Sequence, residues 1–111
     1  MDARMLWGTV ELLILEVVSR GPTYGYQIAQ RVLAGSKGYF ELTEGSLYPA
    51  LHRLERRKLL SSFWQTVEGR ERKYYKLTTA GQAHLAAQKQ EWRAFTEGVW
   101  GILGGADGLA T

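Results

Sequence analysis

Residues 43–58 read TEGSLYPALHRLERRK, and the rest of the chain is arranged around them. Leu47, Leu51 and Leu54 stand at i, i+4 and i+7, the spacing of one helix face, while Ser46, Pro49, His52, Arg53, Arg56 and Arg57 fall on the other. One face suits a core; the other offers cations and hydrogen-bond donors. Thr43 and Ser46 both suit an N-cap, because a hydroxyl there accepts from the unpaired N–H groups of the first turn, and Glu44 suits the positive end of the dipole. Pro49 has no N–H and disfavours helical geometry at Tyr48, so the helix is expected to begin near Ser46 and run through Pro49 with a bend at its start. The pattern fits a recognition helix in a DNA major groove. It equally fits an amphipathic helix whose basic face is only solvated.

Composition narrows the choice. A chain of 111 residues, 45% hydrophobic, makes one small domain with a limited core. Without cysteine there is neither a disulfide nor a thiolate metal site, which agrees with a reducing compartment. Asp2 and Arg4 precede an apolar run interrupted by Glu11 and Glu16, a pattern of neither a signal peptide nor a membrane span, so a cytoplasmic protein with no membrane partner is expected. Between His52 and Lys76 stand eight lysines or arginines against three acids; net charge is +3 overall, so the remainder of the chain is slightly acidic. A basic centre on such a body points to a polyanion, here double-stranded DNA, met by one surface. His52 and His84 stand apart, and no paired carboxylates, nucleophile motif, phosphate-cradling loop or metal spacing occurs. No enzyme activity, cofactor or metal is expected.

Before the central helix, residues 4–19 read as a helix that is apolar on more than one side: Leu6, Val10, Leu13, Ile14 and Val17 form a stripe, with Met5, Leu12 and Leu15 away from it. A second subunit is the simplest cover for so much apolar surface. After the break at Gly21 and Pro22, Thr23 is expected to cap a helix from Tyr24 to Leu33, with Gly35 as its C-terminal glycine. Gly25 inside it implies close approach by another backbone or by a partner. A connector follows, with a short extended piece at Tyr39 to Leu42. Beyond the central helix, Leu59 to Val67 and Arg72 to Leu77 read as strands of a hairpin turning at Gly69, with Arg70 and Arg72 at its tip. Helix-turn-helix plus basic hairpin is a winged helix, a mainly α fold with a small β-hairpin.

Thr78 or Thr79 caps a last helix to about Leu103. Leu85, Trp92 and Val99 are seven apart, as are Gln88, Phe95 and Ile102, which makes a heptad seam for a homodimer. Leu12 and Leu15 of the first helix are expected to join this interface. Three parts are therefore expected: residues 1–78 as the DNA-binding domain, 79–103 as the dimerisation helix, and 104–111 as a disordered tail. An aromatic effector slot is expected near Trp92, with Trp7 and Leu15 as its other wall.

Three motifs carry a family resemblance: GPTYGYQIAQRV at residues 21–32, LTEGSLYPALHRLE at 42–55 and GRERKYYKLTTAG at 69–81. In order and spacing the chain from Leu13 to Gly81 resembles the PadR family of bacterial and archaeal transcriptional regulators. The long last helix is similar to that of the branch with a single C-terminal helix. The resemblance implies a winged-helix homodimer, usually a repressor, bound to a palindromic operator and released by a small, often aromatic, molecule. Tyr24 and Tyr26 match family positions on the first DNA-side helix; Thr43, Gly45, Ser46, Tyr48 and Pro49 match the start of the recognition helix. Lys73, Tyr74 and Tyr75 match the second wing strand. Trp92 is similar in placement to a tryptophan of some drug-responsive members, but the last helix varies within the family and the ligand class does not carry over. The alternative is a winged-helix dimer that serves protein interaction without sensing a ligand.

Overall fold

The computed structural model describes residues 3–104, with side chains from Gly8 onward. Seven elements follow in order: α1 (Ala3–Val18), β1 (Thr23–Tyr24), α2 (Gly25–Gly35), α3 (Glu44–Arg56), β2 (Leu60–Val67), β3 (Arg70–Leu77) and α4 (Thr79–Leu103). The antiparallel sheet has the order β1-β3-β2. This is a winged helix with a long C-terminal helix, mainly α.

The leucine stripe of α3 goes where its spacing sends it. Leu51 and Leu54 are fully buried beside Ile14, Leu15, Val18 and Ile28, so α1, α2 and α3 share one core. Leu15 is only 1% exposed in the single chain, which corrects its expected place in a dimer interface and in an effector slot. The helix needs less outside cover than its sequence implies, because α2, α3 and α4 all pack on it. Leu12 and Leu13 are partly buried against the same core. Leu85, 6% exposed, also belongs to it, so the first member of the heptad seam is covered within its own chain. Trp7's side chain and residues 105–111, the expected tail, lie outside the described residues.

Thr23 does not cap α2. It lies in β1, opposite Tyr75, fully buried, and its hydroxyl donates to Gln27 Oε1 at 2.6 Å; Tyr24 is the N-cap residue instead. The helix ends at Gly35, but its left-handed residue is Lys37 (φ 54°), with Gly38 N–H bonded back to Leu33 O at 2.8 Å. The same closure ends α3: Lys58 has φ 60° and Leu59 N–H reaches Leu54 O at 3.0 Å. Residues 39–42 form no strand.

The hairpin closes tightly. Val67 pairs with Arg70, leaving Glu68 (φ 52°) and Gly69 (φ 76°) as a two-residue turn with both φ positive, the geometry that suits twisted strands. Arg70 is thus the first residue of β3 rather than part of the loop.

At the start of α4, Thr78 Oγ1 accepts from Gly81 N–H at 2.9 Å and donates to Lys58 O at 2.7 Å, while Thr78 N–H bonds Leu59 O at 3.1 Å. Gly81 lies flat on that strand entry: a Cβ there would stand 2.1 Å from Leu59 O. Farther along, Lys89 Nζ holds Glu16 Oε1 at 2.8 Å, fixing α4 to α1. From Trp92 to Leu103 the large apolar side chains are exposed, and Gly104 (φ 65°) ends the helix. Among the described residues no helix is long and apolar enough to cross a membrane.

Candidate nucleic-acid interface

The recognition helix begins two residues before its expected start, and the reason is local. Thr43 N–H donates to Ser46 Oγ at 3.1 Å and Ser46 Oγ donates back to Thr43 O at 3.1 Å, so these residues close the N-terminal turn with Glu44 in it. Pro49 then falls within α3, where its missing N–H would otherwise have bonded Gly45 O.

On the outer face of α3 lie Tyr48 (41% exposed), Pro49, His52 and Arg56. Tyr48 is pressed against α2: a Cβ on Gly25 would stand 2.7 Å from its hydroxyl, so the close neighbour of the glycine is a side chain of the same chain and not the backbone or partner expected. Tyr26 projects from α2 beside it, 64% exposed, its phenol accepting from Gln30 Nε2 at 2.7 Å.

Arg53 is placed differently from its expected position on the open face. Its Nε lies 2.8 Å from Glu11 Oε2, and Arg57 Nη1 lies 3.1 Å from Glu11 Oε1. One carboxylate of α1 thus clamps two arginines on the flank of α3, so Arg53 is drawn toward the domain body. A helical wheel of α3 alone cannot reveal this, because the partner is 42 residues away.

Arg70 is exposed near the wing turn. Arg72 lies over the Tyr24 ring, 4.5 Å from its centre; that ring meets Tyr74 edge-on at 5.4 Å, and Tyr74 stacks on Phe63 at 5.7 Å. Tyr24 therefore anchors β1 to the wing. Lys73 Nζ is 3.2 Å from Glu55 Oε1, and Ser62 donates to Glu55 Oε2 at 2.6 Å. The Ser62 hydrogen bond, helped by Lys73, holds the Glu55 carboxyl below the usual carboxylate range against the opposing effect of burial. Glu55 ties the recognition helix to both wing strands. Sequence reading missed Glu55 and the 65%-exposed Trp64, although Trp64 pairs with Lys73 across the hairpin and strand alternation would have placed the two on one face.

On α4, Trp92 stacks on Phe95 at 5.5 Å; Val99, Ile102, Trp100 and Leu103 continue the exposed apolar surface, with Gln88 half-buried at its start.

Comparisons with known proteins agree with this geometry. A transcriptional regulator of Mycobacterium tuberculosis is 36% identical over 96 residues, covering 86% of this chain and 84% of that protein. The crystal structure of a PadR-like transcriptional regulator from Bacillus cereus superposes with a TM-score of 0.79 at 32% identity, covering 92% of this chain and 98% of the other. That of a PadR family regulator from Clostridium difficile gives 0.73 at 37% identity, covering 86% and 98%. With residues 14–87 matching the profile of the transcriptional regulator PadR-like family, and with a winged helix presenting cations from recognition helix and wing, the chain belongs to that family of transcriptional regulators.

Proposed function

We propose that this regulator is a cytoplasmic homodimeric repressor that grips a palindromic operator and lets go when a small aromatic molecule binds. The observation that carries this reading is the apolar surface on the outer turns of α4, where Trp92, Phe95, Val99 and Ile102 are 43%, 49%, 39% and 88% exposed in the single chain. Apolar side chains in such a row mark a surface that another chain covers. Their heptad spacing fits the same helix of a second copy. In this reading residues 79–103 join two reading heads made by residues 1–78. Thr43, Ser46, Tyr48, Pro49 and Arg56 face the major groove with Tyr26 beside them, and Arg70, Arg72 and Lys73 meet the backbone from the wing. Trp92, stacked on Phe95 at the subunit boundary, offers a planar aromatic ligand a partner.

Selection of bound sequences from random DNA, with light scattering on the same preparation, tests the dimer and its palindromic operator. A dimer at micromolar concentration and an inverted repeat with half-sites about one DNA turn apart are expected. A folded monomer, or bound sequences without two-fold symmetry, overturns it. Titration of phenolic acids and planar cationic drugs against intrinsic fluorescence, in wild type and in Trp92→Phe, tests the effector. Quenching that persists undiminished in the variant, or ligand binding that never changes DNA affinity, removes the sensing role.

A further inference from the structure

Between α3 and the wing lies a hollow of about 490 Å³ whose lining includes Tyr24, Tyr48, His52, Trp64, Arg72 and Lys73. Its most exposed large apolar member is Trp64, at 65%, which faces no core and no seam. Trp64 shares its strand face with Lys73, and Lys73 reaches Glu55 of α3, so this face is turned to the recognition helix. The ammonium of Lys73 is matched by Glu55, and Ser62 occupies the other carboxylate oxygen. Beside Arg72, which lies over the Tyr24 ring, the hollow offers a ligand the indole N–H of Trp64, the Tyr48 phenol and the His52 ring, with an aromatic wall behind them.

Position along the wing says what such a surface meets. Trp64 stands four residues before Glu68 of the turn, which at about 3.3 Å per residue is roughly 13 Å from the tip. With α3 in a major groove and the tip near the adjoining minor groove, the sugar–phosphate strand between the two grooves passes over the hollow. We propose that Trp64 is a DNA-backbone contact: its indole N–H donates to a phosphodiester oxygen and its ring packs on the adjacent deoxyribose. The proposal rests on the DNA-binding reading above and adds a neutral donor beside the cations of the wing.

A neutral donor has a signature that cations lack. Removing it weakens binding without changing the number of counterions released, so the slope of log K against log salt stays constant. We would measure full-length wild type, Trp64→Phe, Trp64→Ala, Arg56→Ala and Arg70→Ala on a selected operator duplex and a random-sequence duplex across a salt series. Trp64→Phe keeps an aromatic ring at an exposed strand position, and far-UV circular dichroism with thermal unfolding verifies its fold. Both Trp64 variants are expected to lose affinity for both duplexes on the order of tenfold, with an unchanged slope. Arg70→Ala is expected to lower the slope by about 1. Wild-type affinity in Trp64→Phe beside weakened Arg56→Ala and Arg70→Ala overturns the proposal and leaves the DNA reading standing, as does a slope that falls in Trp64→Phe. If all the variants bind as wild type does, the DNA-binding reading itself is lost.

Discussion

At the scale of single residues, two glycines differ in how much they matter to stability although a methyl group would collide at both. The atom facing Gly81 is the backbone carbonyl of Leu59, which already accepts from Thr78 N–H and cannot retreat without opening the junction of β2 and α4. Gly81→Ala is expected to cost about 3 kcal/mol or more, read as a lower midpoint in urea unfolding. The atom facing Gly25 is the Tyr48 hydroxyl at the end of a side chain that can swing outward. Gly25→Ala is therefore expected to cost only about 1 kcal/mol of stability while displacing Tyr48 from its place on the outer face of α3. Operator affinity should fall more than stability does. A variant that binds with wild-type affinity would show that Tyr48's position does not matter to binding.

Among elements, α3 is held by two carboxylates with different tasks. Glu11 gathers Arg53 and Arg57 on one flank, and Glu55 gathers Lys73 and Ser62 on the other. Arg53→Met should lower stability by about 1 kcal/mol, whereas Arg56→Ala should stay within about 0.5 kcal/mol of wild type and show its effect on DNA. Glu55 and Glu16 both titrate below the usual carboxylate range, Glu55 chiefly through the Ser62 hydroxyl and Glu16 chiefly through the hydrogen bond from Lys89. Because the folded values lie below the unfolded ones, the stabilisation is complete above the ordinary carboxylate range and is lost as pH falls through the folded values. Glu16→Gln should flatten the acid limb of the stability curve by at most about 1 kcal/mol, with little change in shape near neutrality. How much of this could be read beforehand depends on range. The leucine stripe of α3, the hairpin and α4 were legible, because each announces itself through a local period. Thr23–Tyr24 was not, since two residues carry no period and a threonine before a helix looks like a cap until β3 arrives to pair with it. Arg53 was misplaced and Glu55 overlooked for the same reason: their partners are fixed by tertiary packing.

For the whole molecule, the chain measures 58 × 28 × 25 Å, and its length comes from α4, whose first turns lie on α1 while the last ones extend past the core. If two copies join there, Trp92→Asp places an unpaired charge twice in one symmetric interface, and dissociation or unfolding by light scattering is expected. The junction near Lys89 is also the last place where α4 is fixed to its own domain by an ion pair in the described chain. In such a dimer everything beyond it would act as a measuring rod between two reading heads. One residue inserted after Gln90 would turn the outer stripe by about 100° and advance it about 1.5 Å, throwing the heads out of rotational phase. Seven residues would return the stripe to within about 20° of its starting phase while lengthening each rod by about 10 Å. The spacing between the operator's two halves would thus be stored as a number of helical residues, and a change in that number would be heard as a change in the DNA that answers.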